Sequence, residues 1–165
     1  VLICSPDKDL AQCVTDDGSV VQFDRRQQLI YDADGVKKKF GVAPGSIPDF
    51  LALVGDSADG IPGLPGWGAK SSSVLLARYE QIEHIPLDGD EWDVPVRGSS
   101  KLAETLLKHF EEAQLYKTLT ILRKDIPVMT DLSELEWVGP KEHFDELCFR
   151  LDASRLAERI KKISK

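Results

Sequence analysis

The sequence is poor in the features that mark secreted, membrane or thiolate-metal proteins. It has three cysteines in 165 residues, Cys4, Cys13 and Cys148, an odd number with no C-x-x-C spacing. That argues against a disulfide framework or a zinc-thiolate site and reads as buried or incidental thiols in a reducing compartment. His84, His109 and His143 are scattered, without ligand spacing. No apolar run reaches membrane length and no secretory leader is visible, so a cytoplasmic protein without membrane contact is expected. Positive charge is in deficit, with 21 Lys and Arg against 28 Asp and Glu and a net charge of −7. This excludes a uniformly basic nucleic-acid coat, yet leaves room for a local basic strip or for acids that hold cations. The chain also opens at Val1 rather than Met, inside an apolar run, and reads as a fragment.

The apolar pattern divides the chain into short elements. Val1-Leu2-Ile3-Cys4 predicts a buried parallel strand, Leu10 to Val14 a short helix and Ser19 to Phe23 a second strand, a β-α-β arrangement. A solvated loop is expected over Asp24 to Gln28, then helices over Asp34–Phe40, Ser46–Val54 and Lys70–Tyr79. Lys37, Lys38 and Lys39 form an exposed helix face or a contact for a DNA backbone. His84 to Val96 is rich in Pro, Asp and Gly and reads as a loop. Two further helices follow, Ser99–His109 and Glu111–Leu122, with Leu102, Leu106, Phe110, Leu115, Leu119 and Leu122 as their apolar positions. Ile126 to Met129 reads as extended, and Lys141 to Ile163 as a helical tail with Phe144, Leu147, Phe149, Leu156 and Ile160 on its apolar side.

Two places concentrate chemistry. The first is Ser5-Pro6-Asp7-Lys8-Asp9, directly after the first strand, where parallel sheets gather their ligands. Asp7 could also serve as a helix N-cap. The second is Gly55 to Ser73, where Asp56 and Asp59 precede four glycines and two prolines between Gly60 and Gly68. Glycine lets a backbone approach a ligand closely, proline stiffens the turn, and a helix starting at Lys70 would offer free N–H groups to a phosphate. Asp56 and Asp59 could instead cap their own turn. Four carboxylates without nearby His or Cys favour Mg²⁺ or Mn²⁺, and a pair of such ions hydrolyses phosphodiesters. Two other readings fit part of this pattern. A haloacid-dehalogenase-like phosphatase also uses D-x-D after a strand, but Leu10 and the proline-glycine turns depart from its motifs. A non-catalytic helix-hairpin-helix module would use Gly66-Trp67-Gly68 to grip a DNA backbone.

The segments S-P-D-K-D-L-A-Q, V-G-D-S-A-D-G-I-P-G-L-P-G-W-G-A-K, K-L-A-E-T-L-L and T-I-L-R-K-D-I-P-V occur in that order. In this the chain resembles the second half of the bacterial 5′-3′ exonucleases, flap-endonuclease-like proteins that stand alone or precede DNA polymerase I. The resemblance implies a two-metal nuclease that cuts 5′ flaps and primers from DNA, with Asp7, Asp9 and Asp59 catalytic. Asp7, Asp9, Asp56 and Asp59 would serve its second metal. It implies DNA-backbone contacts at Gly63, Gly66, Gly68, Lys70 and Ser71, K⁺ held in the Gly63–Gly68 turn, and an attached polymerase domain in the parent. The implied fold is α/β at the N-terminal edge, a remnant of a parallel sheet over residues 1–40. It passes into a mainly α-helical region with a helix-three-turn-helix element over 41–165. Gly60 stands where the family usually has Asn, Trp67 where it has a small aliphatic, and Ser71-Ser72-Ser73 where it has a Lys-Thr-Ala-like start. The family's first-metal acids and arch lie upstream of Val1, so the fragment is expected to cut DNA weakly or not at all alone.

Overall fold

Three short strands open the chain in the computed structural model, which describes residues 1–128 and 131–163. Strand β1 (Leu2–Ile3) runs parallel to β2 (Val21–Asp24), with Leu2 opposite Val21 and Ile3 opposite Gln22. A parallel pair needs a crossover, and here the crossover holds a 3-10 turn at Asp9–Cys13. The expected parallel pair is present, with the second strand shifted toward Asp24, but the crossover is a 3-10 turn rather than an α-helix, and Leu2 is 51% exposed where a buried strand is expected.

The sequence pattern missed a third strand. Strand β3 (Leu29–Tyr31) pairs antiparallel with β2, making β2 central. The buried Asp24 carboxylate accepts the Arg26 and Gln27 N–H groups and closes the hairpin. Leu29 and Ile30 are exposed, so β3 shows no buried alternation from which to read it.

Helix α1 (Ala33–Phe40) starts at an Asp32 cap whose carboxylate accepts the Gly35 N–H, and it ends at Gly41 in the left-handed region. Helix α2 (Ile47–Val54) is buried along Ile47 to Leu53, more than one face's worth. It is the centre of the fold, between α3 (Ala69–Tyr79) and α5 (Phe110–Thr120), with α4 (Ser99–Lys108) beside α5. Asp49 on α2 accepts the Ile82 N–H at 2.8 Å and lies 2.8 Å from the Lys117 ammonium of α5. Lys117 also meets Glu83 at 2.7 Å. Three elements are thus tied around one buried carboxylate.

The loop over His84 to Val96 is not featureless. A 3-10 turn at Ile82–His84 leads into it, another lies at Gly89–Glu91 within it, and Trp92 is buried there. On α5 the expected apolar side is wrong: Leu115 and Leu119 are 54% and 63% exposed, while Ala113 and Thr120 are buried. Thr120 Oγ1 donates to Pro48 O of α2, so small residues let α5 lie close to α2.

The chain separates into two compact units, Val1–Lys124 and Asp125–Lys165. Within the first unit Val36 and Val42 share one core with Leu51 and Leu75. In the second unit the expected tail helix is two helices, α6 (Phe144–Arg150) and α7 (Ser154–Ile163). Asp152 takes φ 52°, a left-handed conformation that Asp tolerates, and breaks the run. Leu147, Phe149 and Leu156, expected on its buried side, are exposed, and Cys148 is buried instead. Met129, expected in an extended piece, lies outside the described residues. Among the described residues no helix is long and apolar enough to cross a membrane.

Candidate metal and phosphate site

Helix α2 ends at Gly55, whose φ of 89° turns the chain sharply, and Asp56 and Ile61 then exchange both backbone hydrogen bonds across a tight loop. That loop carries Asp59. The 3-10 turn after β1 packs against α2 and brings Asp7 and Asp9 to the same place. Asp7, Asp9 and Asp59 each offer a carboxylate oxygen, and these oxygens lie within 4.8 Å of one another. Segments about fifty residues apart in sequence thus meet at one point.

Asp56 lies aside from that trio. It is 2% exposed, accepts the Ala58 N–H at 3.0 Å, and pairs with Lys8 at 2.6 Å. Burial opposes its charge, but the Lys8 and Ala58 contacts outweigh this and hold the carboxyl below the usual range. Lys8, the middle residue of D-K-D, joins the site through this pair, and nothing in its sequence neighbourhood marks that role. Its ammonium staples the Asp7–Asp9 segment to the loop that carries Asp59.

The trio fits a hard cation. The Oδ1 atom of Asp9 is buried with no hydrogen-bond partner. Its carboxyl is pushed up to about 6 by burial first, then by the charges of Asp59, Asp7 and Asp56. Like charges this close repel, and a hard divalent ion bound through these oxygens would relieve both the repulsion and the orphaned atom.

The glycine-rich turn beyond Asp59 is built on backbone necessity. Gly63 has φ 71°, and a Cβ there would lie 2.5 Å from the Val54 carbonyl carbon. Only glycine fits that approach. Leu64 N–H donates to Leu53 O and Trp67 N–H to Leu64 O, pinning the turn to α2. Trp67 is buried; its indole N–H donates to Leu102 O, and its ring meets Trp92 edge-on at 6.2 Å. It plugs the core beneath the turn and leaves the outer surface to Gly66, Gly68 and Lys70, all exposed. Ser71 is partly spent on its own helix: its hydroxyl donates to Gly68 O and accepts from Gly68 N–H. Helix α3 begins there, and the first N–H groups of a helix have no partner within it.

Residues 42–143 match the family described as 5′-3′ exonuclease, C-terminal SAM fold. The chain is 36% identical over 143 residues to a DNA polymerase I of Pseudomonas aeruginosa, covering 82% of this chain and 15% of that one. It is 32% identical to a 5′-3′ exonuclease of Buchnera aphidicola, with 82% and 47% covered. With a 5′-3′ exonuclease of Aquifex aeolicus it shares 31% identity, with 100% and 53% covered. The chain therefore spans about half the length of the stand-alone exonucleases it matches. Among solved structures it is similar to T5 5′-exonuclease, described with divalent metal ions (zinc) bound. That match has TM-score 0.59 and 22% identity, covering 73% of this chain and 42% of that one. A T5 flap endonuclease described as a complex with DNA and metal ions matches with TM-score 0.58 and 21% identity, over the same shares. Mostly helical with a small sheet at its N-terminus, the chain shares the part of the exonuclease fold that these matches cover.

Proposed function

This chain belongs to the 5′-3′ exonuclease family, and on that premise we propose that it is the DNA-gripping, second-metal half of a structure-specific 5′-3′ exonuclease or flap endonuclease. The observation that carries the reading is the meeting of Asp7, Asp9 and Asp59 within 4.8 Å, beside a glycine-built turn that leads into α3.

In this reading Asp7, Asp9 and Asp59 hold Mg²⁺ or Mn²⁺, and Asp56 acts as a supporting acid that keeps Lys8 in place. A divalent ion supplies, when bound, polarisation of a phosphodiester oxygen and a water of lowered pKa. The chain's own residues bring the substrate to it. The helix pair α2 and α3 with the turn between them serves as the helix-three-turn-helix element. Gly63 lets that turn press against α2, and Gly66 and Gly68 let a DNA backbone approach. Lys70 and the free N–H groups at the start of α3 then meet phosphate oxygens, with Ser71 at the same edge. K⁺ held by backbone carbonyls of the Gly63–Gly68 turn would add charge at that contact.

The substrates are DNA with 5′ flaps, duplex DNA and RNA primers. A polymerase domain in the parent protein is supported by the relatives that are DNA polymerase I. Because the chain spans about half of the stand-alone relatives, cleavage by the 165 residues alone is expected to be weak or absent.

The test is a salt titration of binding to a 5′-flap DNA and to a plain duplex, with and without Mg²⁺, followed on gels for cutting. Binding with a clear salt slope is expected, and Lys70→Ala should weaken it and lower that slope by about one. Asp59→Ala should leave binding nearly unchanged and abolish cleavage in a full-length relative carrying the same change. Binding without any effect of Asp59→Ala on full-length cleavage would reduce the chain to a backbone-binding module. No binding to either DNA would sink the reading.

A further inference from the structure

The segment carrying Asp7 and Asp9 has little regular structure of its own. It leaves β1 at Ile3 and enters a 3-10 turn only at Asp9. Its backbone is held by a side chain from another element. Gln22, in the central strand β2 and 1% exposed, donates from Nε2 to Ser5 O at 2.8 Å and to Asp7 O at 2.5 Å. A glutamine amide nitrogen has two N–H donors, and both are used on this one segment. The other end is tied by Gln12. Its Nε2 lies 2.9 Å from Asp9 O and 2.9 Å from Thr120 O, and its Oε1 accepts the Leu122 N–H at 3.0 Å. The carbonyls of Ser5, Asp7 and Asp9 are therefore held by two amides. One is fixed in a strand paired on both sides, the other against the end of α5.

Three carboxylates within 4.8 Å repel, and a free loop would relieve the repulsion by letting Asp7 and Asp9 swing apart. The amides oppose that swing without adding charge. Ligands held together before the cation arrives do not lose their freedom on binding it, which strengthens the site. We propose that Gln22, with Gln12 as the second tie, is a positioning residue that presets the Asp7–Asp9–Asp59 cluster for its cation while touching neither cation nor DNA. The proposal rests on the reading of that cluster as a metal site.

The probe is Mn²⁺ alone, titrated into the purified chain, with free Mn²⁺ counted by electron paramagnetic resonance and thermal stability followed in parallel. Variants are Gln22→Met and Gln12→Met, which keep length but lack the donors. Asp59→Asn is the site control, and Leu106→Val, at a buried position of α4, is a stability control. Gln22→Met should raise the Mn²⁺ dissociation constant about tenfold, the usual scale for groups behind metal ligands, while Leu106→Val changes it less than about twofold at a similar loss of Tm. Gln12→Met should act in the same direction, and it decides the matter if Gln22→Met does not fold. Mn²⁺ bound by the parent chain and lost in Asp59→Asn, but equally tight in the glutamine variants, would overturn the positioning role and leave the metal site standing. No Mn²⁺ binding by the parent, or binding indifferent to Asp59→Asn, would overturn both.

Discussion

Lys117→Met tests the arrangement that holds α2, and with it the turn bearing Asp59, in place. The Lys117 ammonium lies 2.8 Å from Asp49 and 2.7 Å from Glu83. Asp49 is 2% exposed and would be left with the Ile82 N–H alone. Removing one partner of a buried pair costs about 3–5 kcal/mol, because the other charge stays buried without compensation. For a chain of this size that is a fall in Tm of roughly 10 °C. The pH dependence gives the sharper test. Burial already keeps the Asp49 carboxyl above its ordinary value, against the pull of Lys117 and Ile82. Without Lys117 it rises further. An acid whose folded pKa is raised binds its proton more readily in the native state, so its contribution is fully present below the unfolded value and lost as pH rises through the folded one. Glu83 works the same way on the variant: Lys117 holds it low against its own burial, a gain present at neutral pH and lost on acidification. The deficit of Lys117→Met should therefore be largest near pH 7 and shrink by about 1 kcal/mol or more toward pH 4.5. Adding Asp49→Asn, which keeps an acceptor for Ile82, should recover much of the loss at pH 7. Urea and thermal denaturation read by the fluorescence of Trp67 and Trp92 in a Trp137→Phe background would follow the unit concerned. A cost below about 1 kcal/mol at pH 7, the range of a surface pair, would refute the reasoning, as would a deficit that grows in acid.

Three further outcomes are expected. In EDTA, Asp9→Asn should stabilise the chain at pH 7.5 by about 1 kcal/mol once solvent screening is allowed for. The gain should vanish below pH 4, since the Asp9 carboxyl, raised to about 6, destabilises only as pH climbs through that value; equal melting curves at pH 7.5 would count against the crowded cluster. Gly63→Ala, whose Cβ would meet the Val54 backbone at 2.5 Å, should cost about 3 kcal/mol or more. Gly66→Ala, with nothing nearer than 4.0 Å, should cost only the left-handed strain of about 1–2 kcal/mol, and denaturation curves separate the two. Trp67→Phe should lose about 2 kcal/mol with the indole bond to Leu102 O yet leave DNA affinity unchanged, because the ring faces the core; a large drop in affinity at equal stability would put Trp67 at the DNA surface.

The sequence by itself determined whatever depends on neighbours along the chain. Helices α1 to α5 could be read to within a few residues because capping, glycine stops and apolar spacing are local. So could the turn between α2 and α3, whose glycines answer to backbone geometry at Gly55 and Gly63. The acid motifs were legible as motifs. What only the tertiary structure decided is which acid faces which partner. Asp7, Asp9 and Asp59 converge while Asp56 turns to Lys8, a choice made by the packing of the 3-10 turn on α2. Strand β3 escaped notice because its pairing partner, not its own exposed Leu29 and Ile30, makes it a strand. Leu115 and Leu119 face outward because α5 meets α2 through small Ala113 and Thr120, and close approach of two helices overrides the hydrophobicity of either alone. Gln22 carried no local signal at all. Its meaning lies in two carbonyls of a segment more than a dozen residues upstream, which β2 reaches only once the sheet has formed.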